Sequence, residues 1–226
     1  TYGHISTWET SGVTDMSLLF CVRQDWMDSE SHYDDKCFLS SSFNEDIGAW
    51  DTSGVTRIYG MFWGASSFNQ DISGWNVGAV LDMDSMFEGA TSFNQNIGGW
   101  FVEQVTNMHE MFQGASAFNQ DIGGWAVDKV TDMGRIFQHA SAFDQDLGWC
   151  VDNDVYLDEA FSGTPCASTS CGVVRGRSEG GICVTLAPTF FDGAFGDESI
   201  RTAVRAWAED RAAAEAMYGH ISTWET

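Results

Sequence analysis

The chain has 226 residues, enough for one good-sized domain or a short repeat array. With 43% hydrophobic and 14% aromatic residues it can fill a core, which argues against a disordered chain. Its net charge of −23, from 33 acidic residues against 10 basic ones, disfavours nucleic acid and anionic lipid as partners, and no apolar run approaches the ~18 residues of a membrane-spanning helix.

The first rung of the pattern runs from Ile5 to Phe20 and contains Trp8, Val13, Thr14, Asp15 and Met16. In later rungs a second Phe follows the first by six residues, as Phe68 follows Phe62. Phe20 is instead followed by Phe43, so 17 residues are inserted. Cys21 and Cys37 stand at the base of this insertion. A disulfide between them removes roughly 3 kcal/mol of unfolded-state entropy in the chain-entropy model. The inserted loop carries Asp25, Asp28, Glu30, Asp34 and Asp35 with Trp26 and Tyr33. It is either a contact site or variable decoration.

From Phe43 onward the sequence repeats every 25 residues. Phe43, Phe68, Phe93, Phe118 and Phe143 form one column; Asn44, Asn69, Asn94 and Asn119, ending in Asp144, form a second; Trp50, Trp75, Trp100 and Trp125 form a third. A fixed period in this range means stacked supersecondary units, none able to bury its apolar side alone. The expected fold class is therefore a repeat solenoid. Each coil would have a short strand with Phe and Ile pointing inward, a glycine bend, and a second inward segment such as Val80/Met83. A helical or 3₁₀ turn at Met61-Phe62, Met86-Phe87 or Met111-Phe112 would then be closed by Gly64, Gly89 or Gly114. Equivalent strands would stack ~4.8 Å apart as a parallel sheet. The rung from Phe143 is degenerate, with Asp144 for Asn, Trp149 one residue early and then Cys150, as a capping rung should be.

Cys150, Cys166, Cys171 and Cys183 lie where the repeat fades. An even set of six cysteines at irregular edges reads as disulfide staples and points to an extracellular or cell-surface location. Zinc is the rival reading, weakened because there is no C-x-x-C pair and no nearby histidine. The predicted organisation is a solenoid over 1–166, with insertion 21–37 and capping rung 143–166, then an irregular cap over 167–196 closed by Cys171 with Cys183. Ile200, Ala203, Val204, Trp207, Ala208, Ala214 and Met217 then follow helical spacing, predicting an amphipathic C-terminal linker helix over 197–217. Residues 218–226 are identical to residues 2–10, Tyr-Gly-His-Ile-Ser-Thr-Trp-Glu-Thr, and read as the start of the next tandem unit. The alternative is a single domain whose duplicated end pairs with a neighbouring molecule.

The pattern Met-Phe-x-Gly-Ala-x-x-Phe-Asn-Gln-Asp-Ile-x-x-Trp-x-Val-x-x-Val-Thr-x-Met, clearest from Met61 to Met83 and from Met111 to Met133, resembles the BspA-type leucine-rich-repeat surface proteins over roughly residues 2–162. The segment from Ala203 through Trp207 to Ile221 resembles the joint between consecutive units in tandem members. The resemblance implies a leucine-rich-repeat-like right-handed coil with short parallel strands and short helical turns. It also implies a surface role, often adhesive, and carries over no catalytic residues. Arg57, where the pattern has Asp, and the 21–37 insertion are departures from it.

Three columns are candidate sites. Asp46, Asp71, Asp121 and Asp146, interrupted by Asn96, are candidate Ca²⁺ ligands, since stacked carboxylates repel and hard cations take oxygen ligands. The competing reading is that each Asp accepts backbone N–H bonds at its own bend. The Asn column resembles the asparagine ladders of leucine-rich repeats. The Trp column either offers sugar-stacking faces or seals the core edge. Gly176-Arg177-Ser178-Glu179-Gly180 matches the nucleophile-elbow spacing, but it lies in a Gly-rich stretch without the strand and helix that motif needs. The expected function is a non-enzymatic structural or adhesive extracellular protein, one link of a tandem array or filament associating with itself through its faces. The alternative is a module recognising a glycan or a cell-surface protein.

Overall fold

A 25-residue period places like side chains at the same point of successive rungs, and the fold is built from the columns that result. The structure is a computed structural model and describes residues 3–22, 37, 41–179 and 182–184. Most of the inserted loop, the 197–217 segment and residues 218–226 lie outside the described residues.

Two phenylalanine columns fill the interior. One runs Phe43–Phe68–Phe93–Phe118–Phe143 with ring centroids 5.9–6.0 Å apart. The other runs Phe20–Phe62–Phe87–Phe112–Phe137–Phe161 at 5.4–6.1 Å. The columns touch rung by rung, with Phe62 3.9 Å from Phe68 and Phe87 3.9 Å from Phe93. Val55, Val80, Val105 and Val130 with Ile58, Met83, Met108 and Met133 complete this core, all of them buried. Val77, Val102 and Val127 form a further buried column.

The backbone of each turn segment divides its hydrogen bonds. Ile58, Gly60, Phe62 and Gly64 donate to the next rung, to the carbonyls of Asp82, Asp84, Met86 and Glu88 at 2.7–3.2 Å. The intervening Met61, Trp63 and Ala65 donate three residues back within their own rung. The predicted helical turn is thus only half helical, because every second N–H serves the neighbouring rung. Both ends of the segment use left-handed backbone, at Gly60 (φ 54°) and Gly64 (φ 70°). Equivalent positions are held by Ser85, Glu110, Arg135 and Glu159, and by His139, which have side chains and bear the steric cost.

The predicted Phe-to-Ile strand does not form a sheet. Phe68 and Ile72 both point inward and are buried, but residues 68–72 carry no strand pairing. Neighbouring rungs are joined here through asparagine and glutamine side chains rather than by backbone-to-backbone bonds. Successive rungs are instead linked by isolated parallel bridges joining Asp15, Arg57, Asp82, Asn107, Asp132 and Tyr156 in turn. Beside them, Thr56, Leu81, Thr106, Thr131 and Tyr156 each donate an N–H to the preceding rung.

Cys21 is bonded to Cys37, with Leu18 and Trp63 packed around the pair. Cys171 does not pair with Cys183. It is bonded to Cys166, because the 3₁₀ turn Ala167–Gly172 brings the two Cα atoms to 4.8 Å. Cys150 and Cys183 each also take part in a disulfide, and no cysteine is free. Strand β1 (Cys150–Val151) pairs in parallel with β2 (Val174–Arg175). The chain divides into Thr1–Arg175 and Gly176–Thr226, so residues 167–175 belong with the ladder and not with a separate cap. In the second part β3 (Arg177–Glu179) pairs antiparallel with β4 (Ile182–Val184) where irregular structure was expected. Arg177–Glu179, the middle of that motif, therefore lie in a strand instead of a nucleophile elbow.

Candidate functional site

The asparagine column is a continuous side-chain ladder. The Oδ1 of Asn44, Asn69, Asn94 and Asn119 accepts the N–H of Asn69, Asn94, Asn119 and Asp144 in turn, at 2.9–3.0 Å. The neighbouring Gln70, Gln95, Gln120 and Gln145 each reach back to the carbonyl of the preceding rung's asparagine. An amide has both the acceptor and the reach for this.

The tryptophans are committed to the core. Trp50, Trp75, Trp100 and Trp125 are only 4–5% exposed, so their faces are not open to a sugar ring. Each Nε1–H donates to a carbonyl of the preceding rung, those of Ile5, Ile47, Ile72 and Ile97. Trp149, one residue early in sequence, still donates to Ile122 and stacks on Trp125 at 6.3 Å. Trp100→Phe should therefore cost about 1–3 kcal/mol in urea denaturation, because the ring still packs but a buried carbonyl loses its donor. A change below the error of the measurement would contradict this role.

The aspartates turn into their own bends. Asp46, Asp71 and Asp121 accept N–H bonds from Gly48, Ser73 and Gly123 at 2.9–3.0 Å, and Asn96 does the same for Gly98. The bond from Ser73 holds the Asp71 carboxyl below its ordinary value. Asp146 lies apart from that pattern. With Asp144, Gln145, Cys166, Thr169 and Gly172 it lines a hollow of about 260 Å³. Among the described residues, no group of three or more His, Cys, Asp and Glu is arranged to hold a metal ion. The bend bonds need no cation.

The chemically densest face lies at the turn segments and was not singled out from the sequence. The signal was available, because it is where the repeat varies inside a constant frame. Tyr59, Asp84, His109 and Gly134 share one column; Gly60, Ser85, Glu110, Arg135 and Glu159 a second; Trp63, Glu88, Gln113 and Gln138 a third. Ser85 Oγ donates to Asp84 at 2.8 Å, and His109 Nδ1 lies 4.0 Å from Asp84 and 3.8 Å from Glu110. Arg135 donates to Glu110 at 3.0 Å and lies 3.7 Å from Glu159. Gln113 donates to Gln138, which donates to Glu159. The Asp84–His109, Glu110–Arg135, Arg135–Glu159, Gln113–Gln138 and Gln138–Glu159 contacts each cross from one rung to the next.

Glu88 is the perturbed member. Burial, with Glu110 and Asp84 as like charges, pushes its carboxyl from the ordinary 4.5 up to about 7, against hydrogen bonds from Ser85 and Trp63 that lower it. Burial also raises Asp84. The folded state thus holds the Glu88 proton where the unfolded chain has released it. Its contribution to stability is present below pH 4.5 and is lost as pH rises to about 7. Urea denaturation across that window should show unfolding free energy falling with pH in the wild type. Glu88→Gln should flatten the fall; an unchanged slope would assign the effect to other groups.

Comparison with known proteins gives one positive finding. A family model described as "Mycoplasma protein of unknown function, DUF285" matches residues 1–77 and residues 31–150. No curated protein and no solved structure matches the chain.

Proposed function

The chain belongs to the DUF285 family, and from that premise we propose that it is a solenoid of the BspA leucine-rich-repeat type acting outside the cell. Its role is structural or adhesive rather than enzymatic: one link of a tandem array that associates through the faces of its ladder. The observation that carries this reading is the commitment of the repeated polar groups to the stack. The Asn, Gln and Trp columns each bond one rung to another. The aspartates of the bends bond their own turns. What varies from rung to rung is the outer turn face, as expected of a scaffold presenting surface. Six bonded cysteines suit an oxidising compartment. The identity of residues 218–226 with residues 2–10 motivates the array.

Two measurements test the proposal. Protease treatment of intact cells of the source organism should remove the protein while sparing cytosolic markers; full protection would place it inside and end the adhesive reading. Reading the gene on either side of residues 1–226 should reveal further copies of the unit. A stop directly after Thr226 with no copy upstream would remove the array.

The second reading, a recognition module, is favoured by one observation, the half-buried Asp84–His109–Glu110–Arg135 cluster on the turn face. Glycan- or protein-array binding lost on Arg135→Ala, with folding retained, would favour it over the structural reading.

A further inference from the structure

One stretch of the sequence occurs twice, and its first copy has a defined seat on the ladder. Residues 4–10 form a short module with a turn of its own. Ile5–Thr7 is a single 3₁₀ turn; His4 Nδ1 accepts the N–H of Ser6, and Thr7 Oγ1 donates to the His4 carbonyl at 2.7 Å. The N–H of Trp8 donates to the Ile5 carbonyl, as that of Trp50 does to Ile47. Ile5 and Trp8 thus repeat Ile47 and Trp50 one rung earlier. Trp8 stacks on Trp50 at 6.3 Å, and Ile5 packs against the core. Trp50 Nε1 donates to the Ile5 carbonyl and Thr10 Oγ1 to the Asp51 carbonyl, both at 3.0 Å. His4 Nε2 lies 3.4 Å from Glu45.

This module is held less firmly than the rungs that follow. Asn69 and Gln70, three and two residues before Ile72, tie their rung to the one before; the same places before Ile5 hold Tyr2 and Gly3. The amide tie is therefore missing. Backbone bonds to the next rung run from Thr14 to Val22, whereas residues 4–10 make none to residues 43–52, and both stretches are described. Trp8 is 44% exposed, against 4–5% for the four tryptophans from Trp50 to Trp125. A terminal segment with side-chain ties and no backbone ladder is the part of a fold that opens first.

We infer that this seat accepts the same nine-residue sequence from another copy, residues 218–226 of one chain displacing residues 2–10 of the next. The residues that make the seat's contacts all recur there: His220, Ile221, Trp224 and Thr226 repeat His4, Ile5, Trp8 and Thr10 in order. No open surface is needed, because the incoming segment takes over the bonds that the outgoing one releases. Exchanging an identical element between copies is a low-cost route to association. The outgoing segment is tethered beside its seat, and its high effective concentration holds the exchange in check. The inference rests on reading the chain as a link between like units, and it names the seat at which links join.

The test is a pair of variants in the full chain. Trp8→Ala weakens the resident segment and leaves residues 218–226 intact. In sedimentation velocity, with salt to screen the charge of −23, it should form concentration-dependent oligomers where the wild type is monomeric. Adding Trp224→Ala to it should restore the monomer. A second measurement uses a fluorescent peptide, Tyr-Gly-His-Ile-Ser-Thr-Trp-Glu-Thr, followed by anisotropy. It should bind the double variant at least about tenfold more tightly than the wild type, and a peptide with Ala in place of Trp should lose that preference. The melting transition, set by the columns from Phe20 onward, should persist in both variants. A Trp8→Ala chain that stays monomeric would overturn the proposal. So would oligomers that survive Trp224→Ala, or a peptide that binds the double variant and the wild type equally. None of these results bears on surface location or on the gene's flanking repeats, which test the broader reading separately.

Discussion

Phe87→Ala should lower the unfolding free energy by about 3–5 kcal/mol, the range for deleting a buried aromatic ring. Phe87 is 0% exposed and lies between Phe62 and Phe112, with 5.5 Å to each ring centroid, and against Phe93 at 3.9 Å. Removing it leaves a void that two neighbouring rungs share and neither can fill, since each is held in register by backbone bonds on both sides. Aromatic pairs add about 0.5–1.5 kcal/mol each beyond area burial, so the upper half of the range is expected. Phe101→Ala is the control: Phe101 is 72% exposed, and its loss should stay within about 0.5 kcal/mol. Urea denaturation of the two variants decides the matter. Equal costs would mean that the stacked columns do not carry the stability assigned to them.

Gly98→Ala and Gly99→Ala should separate just as clearly, although the two glycines are adjacent in sequence. A Cβ on Gly98 would stand 2.4 Å from the backbone carbonyl oxygen of Asp121 in the next rung, and a backbone atom cannot rotate away as a side-chain tip can. Around Gly99 a Cβ would meet nothing within 4 Å. Gly98→Ala must push two rungs apart and is expected to cost about 1–3 kcal/mol. Gly99→Ala removes only unfolded-state freedom and should be neutral or stabilising by up to about 1 kcal/mol. The pair Gly123 and Gly124 repeats the test, with 2.9 Å to the Leu147 carbonyl oxygen on one side and open space on the other. Equal melting temperatures for Gly98→Ala and Gly99→Ala would refute the close approach.

Much of the interior was legible before any coordinates. Phe, Trp, Asn and the Val/Met pairs recur at one spacing, and identical residues at a fixed period must occupy equivalent environments. Columns therefore follow directly. Less legible were the means of joining them. The Phe68–Ile72 segment has the alternation of a strand, yet Asn44 Oδ1 takes the N–H of Asn69 that a sheet partner would have received. The Cys166–Cys171 bond was hidden because it depends on a local 3₁₀ turn that no periodicity marks. The Trp column could be read as a sugar platform or a core seal, and the 4–5% exposure of those side chains decides for the seal.

By itself, then, the sequence determined the period, the identity of each column, the site of the insertion and its Cys21–Cys37 closure. These follow from spacing along the chain, which folding does not change. Only the tertiary structure decided properties that arise between rungs. It showed which N–H of each turn leaves its rung and which glycine of a Gly-Gly pair faces a carbonyl. It also decided that the Glu88 carboxyl is held up to about 7. That affinity depends on burial and on Glu110, 22 residues away in sequence but on the adjoining rung. The physical reason is the same in each case: distances between rungs are set by packing, and no residue's position in the chain encodes them.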